Sequence, residues 1–336
     1  MCYAYGNYFR EGVKTTTYKK YMAARFARVY PLHFVTTIWM FVCSLILIHV
    51  TGHGDEILNP KALPASLLLI QSMHVSFKVP PLNTPSWSLS TEWWVYILFP
   101  FCLPFFIQVK NKGKVLITIG IIAFYIFLRN VIGPISNSHS GPTIAMTTDF
   151  GFLRCLAGFF TGMLLFTFHE QRLGYNIIKR DWFFIISFLG LLGAMYFGIT
   201  DIIIVAFFPL ILIAAAYNQT LVKKILDKHI LQRLGDWSFS IYLVHVPIIF
   251  TIMAIKAVQT HIVINKTVAN TVHTSIPTVV SAPNYILGFF KCIILLALTI
   301  LLSALFYRFL EIPARNYFNK KLKTKHKEIT IKTLEV

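Results

Sequence analysis

The sequence predicts an all-α, polytopic membrane helical bundle of about eight transmembrane helices with both termini cytoplasmic. Three observations predict it. First, 56% of the 336 residues are hydrophobic and only 13% are charged, with a mean hydropathy of +0.65, whereas soluble domains carry about 25% charged residues. Second, eight apolar runs read as long enough to cross ~30 Å of hydrocarbon. Third, these runs are apolar all round and lack the period-two alternation of barrel strands, so helices are the spanning element.

In order, the runs are Pro31–Val50, Trp87–Ile107, Val115–Ile132, Phe150–Phe168, Trp182–Ile199, Ile202–Tyr217, Trp237–Ile255 and Tyr285–Phe309. Basic residues concentrate in alternate connections. If the N-terminus is inside, the inner segments hold Arg10 to Arg28, then Lys110, Lys112 and Lys114, then Arg172, Lys179 and Arg180, then Lys223 to Arg233, and finally Arg308 onward. The outer segments keep only Lys61, Lys78, Lys256 and Lys266. That asymmetry obeys the positive-inside rule. The net charge of +18 is therefore a topology signal with membrane lipids as partners, and no nucleic acid is expected. One membrane domain is expected over residues 1–318, followed by a basic cytoplasmic tail over 319–336.

The connections are short inside and longer outside, at Thr51–Ser86 and Val258–Asn284. Within the first outer segment, "ALPASLLLIQSM" (Ala62–Met73) is too short to span and is expected to lie along the interface or dip into it. The five cysteines are scattered without a CxxC pair and read as packing residues; no metal site is expected. The opening "MCYAYGNYFREGVKTTTYKK" lacks the basic-then-apolar order of a cleavable signal peptide.

Against this background the informative residues are ionisable groups at membrane depth, each costing about 2.5–3.5 kcal/mol on insertion scales. Glu92, in "PSWSLSTEWWVYILFPF", falls one turn into its span, and Arg129 and Arg154 flank the next outer loop. Glu92 is either an acid held by a helix N-terminus or a functional carboxylate. His245, in "LGDWSFSIYLVHVPII", is either a hydrogen-bonded core histidine or a polar group lining a path for protons or substrate. Arg25 and Arg28, in "YMAARFARVYPLHF", share a helical face before the first span; they suit a phosphorylated ligand or ordinary membrane anchoring.

Together these stretches resemble the acyltransferase-3 family of integral membrane acyltransferases. The pieces that carry the resemblance keep the family's order: "RFARVYP", "PSWSLSTEWWVYILFP", "FLRCLAGFFTGML", "LGDWSFSIYLVHVP" and "YRFLEIPARNYF". The resemblance implies transfer of an acyl group, commonly acetyl, from cytoplasmic acyl-CoA to a hydroxyl of an extracytoplasmic sugar or cell-surface glycan. It implies a multi-pass protein of the bacterial inner membrane with acyl-CoA as donor substrate. Trp87, Ser88 and Glu92 would belong to the functional core, Arg25 and Arg28 would meet the donor's phosphates, and Arg154, Tyr242 and His245 would line the pathway. Glu311 would pair with an arginine at its helix end.

Family members begin with a further span bearing an arginine and, three turns later, a histidine taken as catalytic base, followed by a second span. Met1 falls where that second span should end, so the domain is expected to be N-terminally incomplete. Such a chain is a shortened form or misplaced start, a short relative with altered chemistry, or an inactive remnant that keeps the fold. His33, His49 and His53 lie outside the family's motifs and are not assigned the base. A polytopic transporter is the rival from another class; it should carry inverted repeats, and none is evident.

Overall fold

The computed structural model describes residues 1–52, 59–73, 81–136, 141–270, 285–318 and 320. Among these residues the chain is helical, with no strand. The helices are α1 (Cys2–Phe9), α2 (Thr15–Thr51), α3 (Leu63–Leu67), α4 (Ser86–Gln108), α5 (Asn111–Phe127), α6 (Gly151–Glu170), α7 (Tyr175–Ile178), α8 (Asp181–Tyr196), α9 (Asp201–Tyr217), α10 (Leu221–Leu226), α11 (His229–Asn270) and α12 (Tyr285–Phe306). π-Helical turns continue α5 through Leu128–Ile132 and α12 through Tyr307–Glu311. Except for Lys320, the expected basic tail lies outside the described residues, as do His53 and much of the second outer segment.

Six helices among the described residues are long and apolar enough to cross a membrane: Thr15–Thr51, Ser86–Gln108, Asn111–Ile135, Gly151–Glu170, His229–Ile262 and Gly288–Phe318. The expected spans at Trp182–Ile199 and Ile202–Tyr217 correspond to the shorter apolar helices α8 and α9, of 16 and 17 residues. At 1.5 Å per residue they reach about 24 and 26 Å, a few ångströms less than the hydrocarbon. Local thinning of the bilayer and flanking polar residues accommodate such a mismatch. Prolines sit inside α2, α4, α9 and α11, which membrane helices tolerate because neighbouring groups re-satisfy the freed carbonyls.

The chain divides into two compact units. One takes Met1–Arg25 and Trp87–Gly235 with a short piece at Ser72; the other takes Phe26–Gln71, the segment up to Ser86, and Asp236 onward.

In the first unit α8 and α9 pack as a hairpin. Gly190 makes their approach possible, because a Cβ there would lie 2.6 Å from the Phe207 ring. Leu128, Ile144, Met146 and Ala157 form a buried cluster where α5 meets α6. A second, aromatic cluster joins Phe9, Tyr21 and Phe99 in edge-to-face contacts, the geometry that ring quadrupoles favour. Asp181 ties the start of α8 to that of α10, accepting from Asn218 Nδ2 and Thr220 Oγ1, both at 2.8 Å, and from Val222 N at 3.1 Å. Large apolar side chains elsewhere point outward, among them Leu116, Ile119 and Ile126 on α5. Such a surface suits acyl chains as its solvent.

In the second unit the core centres on Met40, Ala62 and Leu82, with Val246 and Phe250 packed against them. His33 is fully buried and braces α2 against α3: its Nε2 bonds Ser66 O at 2.8 Å and its Nδ1 faces Thr37 Oγ1 at 3.4 Å. Trp39 Nε1 donates to Thr251 Oγ1 at 2.8 Å and so fixes α2 to α11. All five cysteines are unpaired.

Candidate active site

The stretch singled out by its carboxylate forms the first turns of α4 in the first unit. Ser72 stitches a preceding loop to these turns, donating from Oγ to Trp87 O at 2.9 Å and from its backbone N to Ser90 Oγ at 3.4 Å. Ser88 is half-buried there and its carbonyl accepts from Thr91 Oγ1 at 2.7 Å. The Trp87 indole packs against the start of α6 at Gly151. A Cβ at Gly151 would stand 3.1 Å from the ring, so a glycine is what lets the indole approach. Arg154, one turn further along α6, places its guanidinium 5.6 Å from the same ring and donates from Nη1 to Met146 O at 3.2 Å. Trp87 and Arg154 thus meet, and Ser88 follows Trp87 in the same turn of α4.

Glu92 follows one turn later and is exposed. Its Oε1 accepts from the hydroxyl of Tyr96, four positions along the same helix face. Tyr96 is 4% exposed, and its carbonyl accepts from Tyr21 Oη at 3.0 Å. The guanidinium of Arg25 lies 5.5 Å from the centre of the Tyr96 ring and 4.8 Å from that of Tyr5, whose hydroxyl accepts from Nη2 at 2.7 Å. Arg25 Nε is buried and has no hydrogen-bond partner. The first unit therefore holds a continuous series in which an arginine in a tyrosine cage connects through Tyr96 to the carboxylate of Glu92. An exposed carboxylate on a spanning helix cannot face lipid cheaply; it demands water or a polar ligand.

The family model for the acyltransferase domain matches residues 3–308 of this chain. The chain belongs to that family. Among curated proteins it is similar to the acyltransferase MdmB of Streptomyces mycarofaciens, with 27% identity over 245 residues, 67% of this chain and 60% of that protein. The chain thus spans about 60% of that relative's length. No solved structure matches it.

The remaining candidates of this acyltransferase-family chain lie in the second unit. Arg28 is exposed and stands within electrostatic reach of Glu311. Glu311, only 1% exposed, closes the π-helical turn after α12, where it accepts from Ser240 Oγ and from Arg315 Nη2, the latter at 2.7 Å. The expected arginine partner is therefore Arg315, and the serine of "DWSFS" joins it. His245 is half-buried, with Nδ1 3.2 Å from Ile241 O of its own helix and its ring 6.1 Å from that of Tyr242, which is 39% exposed. That environment is the bland one for a histidine, a bond to a helix carbonyl. Among the described residues, no three His, Cys, Asp or Glu side chains gather as metal ligands would. Tyr5, Tyr21, Tyr96, Ser240 and Arg315 were missed by sequence reasoning. For Tyr96 a signal existed, its spacing of four from Glu92 in a helix.

Proposed function

We propose that the protein is a membrane-embedded O-acyltransferase that moves an acyl group, acetyl, from cytoplasmic acyl-CoA to a hydroxyl of an extracytoplasmic sugar or cell-surface glycan. It resides in the bacterial inner membrane with both termini inside. The observation that carries this reading is the series Arg25–Tyr96–Glu92. Membership of the acyltransferase family supports it. A caged guanidinium with a buried, unused Nε is a ready partner for a donor phosphate, and a charge-assisted bond there is roughly twice as strong as a neutral one. Arg28 adds a second cation for the donor's phosphates.

In the reaction the acceptor oxygen attacks the thioester carbon, the C–S bond breaks, and the thiolate leaves with the proton given up by the hydroxyl. Glu92 orients and polarises that hydroxyl, while Arg154, beside Trp87 and Ser88, stabilises the oxyanion. Tyr242 and His245 line the route.

The test is acetyl-CoA carrying label in the acetyl group, supplied to membranes that contain the protein, with free thiol and labelled glycan both measured. Glu92→Gln should lower transfer about 10²-fold or more, the scale on which a positioned acid or base acts, with the protein still present in the membrane. No thiol release and no labelled glycan from the unaltered protein would refute the reading.

A further inference from the structure

A corner of the second unit, away from the charges discussed above, carries buried side-chain polar atoms that find no hydrogen-bond partner within the protein. Two are amide oxygens, Gln71 Oε1 and Asn83 Oδ1, and a third is the hydroxyl of Ser66. Asn83 and Ser66 are 0% exposed.

Their surroundings fix which way the amides point. Asn83 Nδ2 donates to Leu243 O at 2.9 Å. Gln71 Nε2 donates to Ser86 O at 2.9 Å and faces Ser86 Oγ at 3.2 Å. A flipped amide would set its oxygen against a carbonyl oxygen, so each NH2 is committed to backbone and each oxygen is left over. The two residues meet the same turn, because Ser86 N donates to Asn83 O at 2.8 Å. Gln71 arrives there because α3 ends in a tight reversal in which Ile70 N bonds Ala65 O at 3.1 Å and Leu69 takes a φ of 57°. That left-handed position normally favours glycine.

Amide oxygens only accept hydrogen bonds, so an occupant must bring O–H or N–H. An anion is excluded, since it would add lone pairs to lone pairs. A hard cation would want carboxylates, and this trio has none; an ammonium would lack a counter-charge for the same reason. An apolar group would leave every atom unpaired.

We infer that Asn83 and Gln71, with Ser66, form a subsite for a neutral hydroxyl-bearing group, namely the sugar portion of the acceptor. This inference rests on the acyl-transfer reading above. The subsite adjoins the functional stretch along the chain, since Trp87 directly follows Ser86.

Binding of methyl β-D-glucopyranoside, methyl β-D-galactopyranoside and methyl N-acetyl-β-D-glucosaminide to the full chain in detergent tests it, read by tryptophan fluorescence and by the melting shift. At least one glycoside should bind. Gln71→Met, an apolar substitute of similar length, should weaken that binding roughly 10-fold, as expected for one lost hydrogen bond to a buried acceptor. The melting temperature of the free Gln71→Met protein should change little, because the bond from Gln71 Nε2 to Ser86 O is lost together with an unpaired buried oxygen. Asn83→Leu should weaken binding too, but it also strips Leu243 O of its donor, so Gln71→Met decides if Asn83→Leu fails to fold. Unchanged binding by Gln71→Met, or no binding of any of the three by the unaltered protein, overturns the subsite. Thiol release from acetyl-CoA in membranes that keep their own glycan acceptor, with no glycoside added, reports on acyl transfer separately, so loss of one conclusion is distinguishable from loss of the other.

Discussion

Replacing Tyr96 with phenylalanine removes one oxygen and leaves the ring, which makes it a clean probe of the link to Glu92. The ring is 4% exposed and packed, and its volume hardly changes, so no cavity forms. The lost bond runs to a charged acceptor, a class worth about 1.5–3 kcal/mol. Because Glu92 is exposed, water replaces most of that bond in the resting protein, and the fold should lose less than about 1 kcal/mol. Water does not hold a carboxylate in one orientation. If that orientation is what the acceptor hydroxyl needs, the full ~1.5–3 kcal/mol is lost in the transition state, a fall of roughly 10- to 150-fold in turnover at about 1.4 kcal/mol per decade. The phenylalanine ring still lies beneath Arg25, so the apparent KM for acetyl-CoA should not move. Thiol release at saturating and limiting acetyl-CoA separates the two parameters, and melting in detergent checks the fold. Turnover within twofold of the unaltered protein would refute the argument, as would a rise in KM that accounts for the whole loss.

Arg25→Lys keeps the charge but removes the planar fork. It should raise the KM for acetyl-CoA by about 10-fold, the loss expected for a charge-assisted hydrogen bond, with membrane insertion unchanged; an unaltered KM returns Arg25 to anchoring. Glu311→Gln should show the opposite signature to Glu92→Gln. It leaves Arg315, half-buried, without its carboxylate, so stability should fall by about 1–3 kcal/mol while turnover per folded molecule persists. Topology is open to a single cysteine at Lys110, which is exposed in the short connection between α4 and α5, in a cysteine-free background. It should resist an impermeant thiol reagent in intact cells and react after the membrane is opened, and labelling in intact cells would reverse the assigned orientation.

The helices were legible because hydrocarbon leaves a chain few ways to satisfy its backbone, so long apolar runs had one reading. Their ends were less so. The run to Ile199 continues as apolar sequence, yet α8 stops at Tyr196, because Gly198 takes a left-handed φ of 62° and reverses the chain. Trp87, Ser88, Glu92 and Arg154 were legible as polar or bulky residues in unusual places. Tyr96 was not, since one more aromatic in an aromatic helix carries no signal until its hydroxyl is seen on Glu92. Arg25 and Arg28 read as a pair from their spacing of three. In the structure Arg25 meets tyrosines and Arg28 lies near Glu311, because an interval of three still turns the side chains by about 60°. Gln71 and Asn83 could not be read at all, as an unpaired amide oxygen depends on how a whole corner folds.

The charges at membrane depth sort by whether their own unit answers them. Asp201 receives Arg129 Nε at 3.2 Å on one oxygen and Thr143 Oγ1 at 2.9 Å on the other. Ser136 Oγ donates to Asp149, and Glu311 has Ser240 and Arg315. Each of these carboxylates is neutralised or hydrogen-bonded within its unit, and together they hold loops and helix ends in place. Glu92 and Arg25 differ. The first takes one hydroxyl and stays exposed, and the second keeps a buried Nε unpaired. Retaining an unanswered ionisable group in a bilayer costs free energy that packing alone would remove. In the proposed function a polar substrate completes these two incompletely satisfied groups, which one tyrosine joins.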